Sequence, residues 1–352
     1  MANFSIQNVQ LSGVSVCVPK KKVKNKDNKL FNSDEVTKFS QSTGVYEFRV
    51  AEKEVTTADL GFEAANSLLD EMNIDRNEID ILLFVSQTPD YLNVPNTAPI
   101  LQDRLKLSKQ CIAFDIPLGC SGFVYGLSVI ASFMQNPAFR KGLLIFGDTP
   151  SKTVNKKDKS TSVLFGDAAG AVILESKESN QKMIFNLGTD GSGYKAIIIP
   201  EGGYRNPFND NSLIENEIEK DIVRNKCEIV LDGMDVFSFG ISQAPKTIKE
   251  LYEFAILSNE EVDFAVFHQA NMMMNEMIRK KLKLEKEKVP YSLEKFGNTS
   301  SASIPITMVT QLKTQLEKDK MRLLLCGFGV GLSWGTCYLE TENLKVMDLI
   351  EL

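Results

Sequence analysis

Cys120 lies where a predicted strand turns sharply into a predicted helix, and it is the residue in this chain best placed for chemistry. The strand covers residues 111–116, a Pro/Gly turn follows, and an unusually apolar helix runs from 121 to about 134. A strand, a tight turn and a reactive side chain at a helix start form a common way to present a nucleophile. The helix N-terminus favours thiolate over thiol, so we expect a lowered pKa for Cys120. The same pattern is equally typical of a cysteine that only packs in the core.

Two further side chains fall at places where ligands are commonly bound. His268 is the single histidine and directly follows a predicted buried strand at 263–267. In open α/β sheets, ligands bind at the carboxyl ends of strands, so this imidazole is well placed for catalysis. Asn298 lies in a turn that leads into a helix, where capping is the commoner role of such a residue. The glycine-dense stretch 326–335 is interpreted as a loop between two strands, in which backbone N–H groups can approach a ligand.

Hydrophobic periodicity predicts the elements that hold these side chains. Continuous or alternating apolar runs predict strands at 9–18, 79–85 and 143–146, and the run 165–174 enters a further strand. Apolar residues at helical spacing predict helices at 58–72 and 100–107, and a further helix begins at about residue 271. Strands that alternate with helices in this way indicate an α/β fold.

The second half of the sequence repeats features of the first. Three pairs of segments keep their order and nearly their separation, namely 80–84 with 263–267, 105–107 with 282–284, and 143–145 with 323–325. This predicts an internal duplication with its seam near 175–182, giving an N-terminal half at 1–178 and a C-terminal half at 179–352. Between them, the Gly-rich polar segment 188–217 is interpreted as an insertion, either a lid or substrate loop or a plain surface excursion.

Composition is that of an ordinary globular protein, with 43% hydrophobic and 24% charged residues. A net charge of -6 provides no basic field to attract nucleic acid or a membrane surface. The first ten residues are too polar for a signal peptide, and the longest apolar helix candidate, 123–134, is too short to span a bilayer. The six cysteines include no C-x-x-C pair, so we expect reduced thiols in the cytoplasm. We predict neither a metal site nor a bound cofactor.

Five segments in this order and spacing carry a family resemblance. They are Cys120-Ser121-Gly122-Phe123, Phe165-Gly166-Asp167, His268-Gln269-Ala270-Asn271, Gly297-Asn298-Thr299-Ser300 and Gly329-Val330-Gly331-Leu332-Ser333-Trp334-Gly335. Together they resemble β-ketoacyl-acyl carrier protein synthase III, of the thiolase superfamily, over nearly the whole chain. The resemblance implies an α/β, thiolase-like, duplicated αβαβα five-layer fold, with two sheets among three helical layers, usually found as a homodimer.

The resemblance also implies roles for individual residues. Cys120 would be the nucleophile that takes the acyl group from a thioester, of coenzyme A or of acyl carrier protein. His268 and Asn298 would bind the carbonyl of a malonyl thioester, whose loss of carbon dioxide leaves an enolate that attacks the acyl-cysteine. The N–H groups of Cys120 and Val330 would form the oxyanion hole of the acyl step, and valine replaces a glycine that is usual at this position.

The sequence departs from the family at the predicted coenzyme A end. In the family, a tryptophan and an arginine help to hold the adenine, and here the corresponding residues are Lys38 and Ser42. A further arginine of the family corresponds to Lys152. The arginine expected where carrier protein docks is Met273. Lysine does not stack on an aromatic ring or form the paired hydrogen bonds that arginine forms. These replacements therefore argue against the usual coenzyme A primer.

Two more substrate contacts follow from the same resemblance. Asn271 belongs to the His-Gln-Ala-Asn motif, and Val94 matches a segment that reaches into the acyl pocket of a partner subunit. The predicted function is therefore decarboxylative condensation of an acyl thioester with malonyl-acyl carrier protein. Two alternatives remain: an acyltransferase of the same fold that uses an alcohol or amine acceptor, and a non-catalytic partner subunit.

Overall fold

Two β-sheets form the framework of the protein. The structure, a computed structural model, describes residues 2–92, 94–178 and 181–352. Along these residues the strands are β1 (Ala2–Gln7), β2 (Val9–Val18), β3 (Lys22–Lys24), β4 (Glu47–Arg49), β5 (Ile81–Val85), β6 (Ile112–Ile116), β7 (Lys141–Asp148), β8 (Ala168–Ser176), β9 (Lys182–Thr189), β10 (Ile197–Ile198), β11 (Asn216–Glu219), β12 (Ile222–Arg224), β13 (Val230–Leu231), β14 (Phe264–Phe267), β15 (Met321–Gly329), β16 (Ser333–Thr341), β17 (Lys345–Val346) and β18 (Ile350–Glu351).

Nine α-helices connect and cover these strands within the described residues. They are α1 (Ser33–Thr43), α2 (Thr57–Glu71), α3 (Thr97–Arg104), α4 (Gly122–Phe133), α5 (Gly233–Ala255), α6 (Met272–Leu282), α7 (Leu293–Phe296), α8 (Ser303–Gln311) and α9 (Lys313–Lys318). None of them combines the length and the apolar character that crossing a membrane requires.

The two sheets repeat the same strand arrangement. The order β2-β8-β7-β5 in the first sheet corresponds to β9-β16-β15-β14 in the second. In each set the first three strands are antiparallel neighbours and the last pair is parallel. The repeated segments 80–84 and 263–267 overlap β5 and β14, and 143–145 and 323–325 lie in β7 and β15. The duplication predicted from the sequence is therefore confirmed.

Helices form three layers around the two sheets. Helices α2 and α3 pack on the outer face of the first sheet, and α5 and α6 pack on the outer face of the second. Helices α4 and α8 lie between the sheets and contact strands of both. Burial from both sides explains why α4 is apolar almost all round; its Phe123 meets Phe146 of β7 edge-on at a ring-centroid distance of 4.9 Å. The five-layer αβαβα prediction is confirmed.

The chain termini exchange between the sheets. β1, at the N-terminus, pairs with β9 at the edge of the second sheet, and β17 and β18, at the C-terminus, pair with β2 in the first. The buried guanidinium of Arg49, in β4, forms an ion pair with Glu351 of β18 at 2.8 Å, which helps to hold β18 against the first sheet. The division of the chain at 178/179 stays a prediction, and Ser179 and Asn180 lie outside the described residues.

Most of the predicted elements are present, with boundaries that differ by a few residues in several of them. Helix α3 begins at Thr97 rather than at 100, because Pro99 fits within the first turn of a helix. Strand β8 begins at Ala168, inside the run 165–174 that is predicted to enter a strand, and Phe165 forms an isolated bridge with Asn298. Most of the predicted glycine loop 326–335 is strand, and only 330–332 connect β15 to β16.

The predicted insertion 188–217 contributes one strand to each of two small two-stranded sheets. Its inner part, β10, pairs with β13 just before α5. Its outer part leads into the β11–β12 hairpin, whose Val223 N–H donates to the Lys157 carbonyl, in the loop after β7, at 3.3 Å. Within the segment itself, the Glu215 carboxylate accepts the Asn155 amide at 3.0 Å and forms an ion pair with Lys157. This end of the segment is thus anchored to the first half of the chain.

Candidate active site

Cys120 lies in the turn between β6 and α4, immediately before the capping residue Ser121. Strand β15, from the other half of the chain, passes directly against it. A Cβ atom at Gly329 would lie 2.9 Å from the Cys120 sulfur, and one at Gly327 would lie 2.8 Å from the Cys120 carbonyl oxygen. Glycine at these positions allows the backbone of one half to approach the cysteine of the other.

Burial controls the ionisation of this thiol. It raises the pKa of Cys120 to about 11, and the nearby Asp148 carboxyl raises it further. Hydrogen bonds from the Ser300 hydroxyl and from the backbone N–H groups of Val330 and Cys120 oppose the rise. The predicted lowering of this pKa by the helix N-terminus is therefore wrong in direction, because the cost of desolvating a thiolate exceeds the stabilisation by these dipoles. The resting side chain is a thiol.

The two N–H groups expected in the oxyanion hole, those of Cys120 and Val330, both lower the pKa of the thiol against the effect of burial. Their role as donors to a carbonyl oxygen stays a prediction. The Val330 residue also lines the cavity in front of Cys120. Replacement of glycine by valine at this position leaves the backbone donor in place.

His268 directly follows β14 and is almost fully buried. Its backbone N–H donates to the Cys326 carbonyl at 2.8 Å, and its Nδ1 lies 2.7 Å from the hydroxyl of Ser303, the first residue of α8. The ring meets Phe328 edge-on, with centroids 5.7 Å apart. Burial lowers the pKa of His268 to about 4, against a hydrogen bond with the main chain of Ser300 that raises it. The imidazole is thus neutral at pH 7.

The Asn298 side chain holds its own turn and also lines the cavity, while its binding of a substrate carbonyl stays a prediction. Its Oδ1 accepts a hydrogen bond from the Ser300 N–H at 2.9 Å, which is the local turn-forming role. Its own N–H donates to the Leu164 carbonyl at 2.9 Å, which ties the turn to the first half of the chain. With Oδ1 engaged, the Nδ2 hydrogens remain for a ligand in the cavity that Asn298 lines.

A single cavity of about 360 Å³ brings Cys120, His268 and Asn298 together. Much of the wall is apolar and comes from the β10 and β13 region and the start of α5: Ile197, Ile198, Ile199, Ile229, Leu231, Val236 and Phe237. Among the lining side chains, only Cys120, Asp148 and His268 are titratable. Hydrogen bonds in such a dry site act at low dielectric and are correspondingly strong.

The other predicted substrate residues are placed differently. Asn271 lines the cavity, and its side chain also caps α6 by accepting the Met274 N–H at 2.8 Å. Lys38, Lys152 and Val94 are exposed and do not line the cavity. The Lys152 ammonium instead donates to the backbone carbonyls of residues 52 and 53, at 3.1 and 2.8 Å. Substrate contacts by these three residues stay predictions.

Asp148 is a buried carboxyl at the end of β7 that sequence analysis did not identify. Its Oδ1 accepts the Gln87 N–H at 2.7 Å and the Ser86 hydroxyl at 3.2 Å, and its Oδ2 accepts the Ser301 hydroxyl at 3.2 Å. A hydrogen bond with the Ser300 hydroxyl acts in the same direction as these, whereas burial raises the pKa of Asp148. A usable signal was present, because an acidic residue follows the predicted strand 143–146 at its carboxyl end.

Comparison with known proteins assigns the chain to a family. Residues 114–191 match the family model described as 3-oxoacyl-[acyl-carrier-protein (ACP)] synthase III, and 253–341 match the model of its C-terminal part. The chain is 35% identical over 331 residues to the β-ketoacyl-[acyl-carrier-protein] synthase III of Streptococcus sanguinis, covering 93% of this chain and 97% of that protein. The chain belongs to the 3-oxoacyl-ACP synthase III family.

Two further proteins are similar to this chain at nearly the same sequence identity. The β-ketoacyl-[acyl-carrier-protein] synthase III of Caldanaerobacter subterraneus is 36% identical over 299 residues, covering 85% of this chain and 87% of that protein. The crystal structure of a 3-oxoacyl-(acyl-carrier protein) synthase from Burkholderia xenovorans aligns with a TM-score of 0.93 at 35% identity, covering 100% of this chain and 99% of that one. The two segments matched by the synthase III models contain Cys120, Asp148, His268 and Asn298.

Proposed function

We propose that this synthase III family member catalyses a decarboxylative Claisen condensation between an acyl group on Cys120 and malonyl-acyl carrier protein, with a 3-oxoacyl thioester as product. The observation that carries the proposal is the shared cavity, in which Cys120, His268 and Asn298 meet although they come from separate segments. Family membership supports the reaction class, and the names of the relatives support an acyl carrier protein thioester as substrate.

In the proposed acyl step, the Cys120 sulfur attacks and two backbone amides stabilise the charge that develops. As Cys120 attacks the thioester carbonyl, negative charge develops on the carbonyl oxygen. The N–H groups of Cys120 and Val330 would receive it, which is supported by the effect of both amides on the pKa of the Cys120 thiol. Preorganised donors of this kind contribute roughly 3 kcal/mol each to transition-state stabilisation, because they pay no reorganisation cost during the reaction.

The condensation step uses two neutral donors. When malonyl loses carbon dioxide, charge moves onto the thioester oxygen of the enolate. An imidazole N–H of His268 and the Nδ2 hydrogens of Asn298 supply hydrogen bonds to that oxygen without a fixed positive charge. Since burial keeps the pKa of His268 at about 4, the ring stays neutral throughout the physiological range. The apolar wall excludes water that would protonate the enolate before it attacks.

The alternative acyltransferase is less well supported. Transfer to an alcohol or amine requires the cysteine and an oxyanion hole but no site for an enolate. In this chain His268 and Asn298 both line the cavity, and both belong to the segment that matches the C-terminal family model. The expected homodimer and cytoplasmic location stay predictions.

Mass spectrometry of the intact protein tests the proposed function. Purified protein is incubated with acyl-coenzyme A and acyl-carrier thioesters of graded length, and the Cys120 adduct is measured. Addition of malonyl-carrier protein with a labelled free carboxyl group then reports carbon dioxide release. We expect an adduct that is absent in Cys120→Ala, and label release with formation of a 3-oxoacyl product. An adduct without label release, and with acyl transfer to an alcohol or amine, would favour the alternative.

A further inference from the structure

The His268 imidazole can stabilise an enolate in only one of its two neutral forms. A neutral imidazole carries one ring hydrogen, either on Nδ1 or on Nε2. Burial lowers the pKa of His268 to about 4, so the ring is in one of these two forms at pH 7. The proposed condensation requires the hydrogen on the nitrogen that faces the substrate. A group that selects the form of the ring therefore influences the reaction.

Ser303 contacts the imidazole at Nδ1. Its Oγ lies 2.7 Å from this nitrogen, and both side chains are almost fully buried. Because Nδ1 is engaged by Ser303, Nε2 is the nitrogen that remains for a ligand in the cavity that His268 lines. A hydroxyl can donate or accept a hydrogen bond, so the direction of this bond has to come from the surroundings.

The hydrogen of the Ser303 hydroxyl distinguishes the two forms. If Nδ1 carried the ring hydrogen, it would donate to Ser303 Oγ, and the hydroxyl hydrogen would need another acceptor. Among residues 2–92, 94–178 and 181–352, this hydroxyl makes no second hydrogen bond. A buried hydroxyl hydrogen without an acceptor is destabilising. Donation from Ser303 to Nδ1 satisfies both groups and leaves the ring hydrogen on Nε2.

The other hydroxyls of α8 are used differently. Thr307 and Thr310 donate to the main-chain carbonyl four residues earlier, at 2.8 and 2.7 Å. This is an ordinary use of a hydroxyl within a helix. At Ser303 the backbone N–H bonds an earlier carbonyl, that of Ser300, and the hydroxyl bonds the imidazole. The Ser303 hydroxyl is thus directed at His268 rather than at its own helix.

The position of Ser303 in α8 favours the same form of the ring. Ser303 is the first residue of this nine-residue helix, so Nδ1 lies beside the helix N-terminus. The free N–H groups at a helix N-terminus carry partial positive charge. That charge stabilises a nitrogen lone pair and disfavours an N–H group that points towards it. The hydroxyl and the helix end therefore act in the same direction on Nδ1.

Further contacts restrict the orientation of the ring. Phe328 meets it edge-on, with centroids 5.7 Å apart. The His268 backbone is held at both ends, since its N–H donates to the Cys326 carbonyl at 2.8 Å and its carbonyl accepts the Asn275 amide at 3.1 Å. A ring held in this way keeps Nδ1 against Ser303 and Nε2 away from it.

We propose that Ser303 is a positioning residue, which donates a hydrogen bond to Nδ1 of His268 and so keeps the ring hydrogen on Nε2. The Nε2–H group is then available to the enolate oxygen when malonyl loses carbon dioxide. In the other form, Nε2 would present a lone pair to that oxygen and repel it. The catalytic consequence rests on the proposed function, whereas the form of the ring can be measured without any reaction.

Nitrogen-15 NMR reads the form of the ring directly, because His268 is the single histidine of the chain. Protein without a histidine tag is labelled at Nδ1 of histidine only and is measured in the solid state at pH 7.5. Protonated and unprotonated ring nitrogens give well-separated signals. We expect the wild type to give one signal, that of an unprotonated Nδ1. In Ser303→Ala we expect this signal to move towards the protonated position or to be joined by a second signal there.

Carbon dioxide release from labelled malonyl-carrier protein measures the catalytic consequence. Loss of one hydrogen bond of ordinary strength should lower the kcat of decarboxylation in Ser303→Ala about three- to tenfold. The KM for the malonyl substrate and the acyl loading of Cys120 should stay nearly unchanged. Thr310→Ala is the matched control, because it removes an α8 hydroxyl that bonds the Ile306 carbonyl rather than the ring, and we expect it to keep the wild-type values. Thermal melts by circular dichroism verify folding, and the wild-type signal decides alone if Ser303→Ala does not fold.

The outcomes separate the role of Ser303 from the proposed function. An unprotonated Nδ1 in the wild type, with a Ser303→Ala variant that both moves the signal and slows label release, supports the inference. A protonated Nδ1 in the wild type, or a variant that leaves either the signal or the release unchanged, overturns it and leaves the proposed function intact. A wild type with an unprotonated Nδ1 that releases no label overturns the proposed function, and the assigned form of the ring stands.

Discussion

Burial keeps the Cys120 and His268 side chains uncharged at neutral pH, and this determines how each can act. A neutral imidazole can donate a hydrogen bond to an enolate oxygen without binding the malonyl carboxylate as a salt bridge. A neutral thiol reacts more slowly with electrophiles than a thiolate does. Both properties follow from the position of these residues behind apolar walls.

Replacement of His268 by alanine separates the two half-reactions. We expect carbon dioxide release from malonyl thioester to fall by about 100- to 1,000-fold, as for loss of one oxyanion donor, with acyl loading of Cys120 changed only a few-fold. Label release and intact mass measure the two steps in the same sample. Asn298→Ala serves as the companion variant and is expected to act in the same direction. Loss of loading with retained decarboxylation would show that the assigned roles are wrong.

His268 also makes the stability of the fold depend on pH. Its pKa is about 4 in the folded protein against an ordinary value of 6.5, so the unfolded chain takes up the proton first as the pH falls. The free energy of unfolding therefore falls as the pH drops from 6.5 towards 4. Protonation of this residue in the unfolded chain accounts for a loss of about 2 kcal/mol by pH 5. Urea unfolding at pH 7.5 and pH 5 measures this in the wild type and in His268→Gln. The wild type should lose about 2 kcal/mol more than the variant, and equal losses would contradict the assignment.

At the scale of elements, strand β15 links the two halves at the nucleophile. Periodicity in the sequence was sufficient to predict β2, the Cys120 turn and the strand before His268, because each is a local pattern of apolar residues. It did not predict that Gly329 lies against Cys120, or that the Ser300 turn packs on the end of β7. Those contacts join residues far apart in the chain, and no local pattern encodes them.

Addition of a methyl group at Gly329 should disturb this junction. A Cβ atom there would lie 2.7 Å from the Cys120 Cβ and 2.9 Å from its sulfur, so the nucleophile has to move. We expect Gly329→Ala to slow acyl loading at least about tenfold and to cost about 1–3 kcal/mol in stability, as overpacked sites do. Single-turnover loading and urea unfolding measure the two effects. Gly191→Ala is the control, because nothing lies within 4 Å of its added Cβ. Unchanged loading in Gly329→Ala would contradict the close approach.

At the scale of the whole molecule, the central layer and the exchanged termini make the two halves dependent on each other. The core between the sheets mixes residues of both halves, such as Phe123 of α4 and Ile306 of α8. The duplication was visible in the sequence because apolar strand segments kept their order. The exchange was not, since β1 and β17 are short edge strands whose pairing is decided by geometry.

The isolated N-terminal half is therefore not expected to fold alone. A fragment of residues 1–178 lacks the partners of α4 in β15 and β16, and it exposes one face of the first sheet. We expect no cooperative thermal transition by circular dichroism, and recovery of a transition when the 179–352 fragment is co-expressed. A cooperative melt of the N-terminal fragment by itself would contradict this dependence.

The exchanged termini also constrain how the protein is made. A ribosome adding about 5–20 residues per second releases β1 long before its partner β9 emerges. The β2 strand likewise meets β17 and β18 only after every strand of the second sheet has been made. Until α8 and the second sheet exist, the face of the first sheet and the α4 helix that they cover stay open to solvent. The nascent N-terminal half therefore depends on protection from aggregation while the second half is being synthesised.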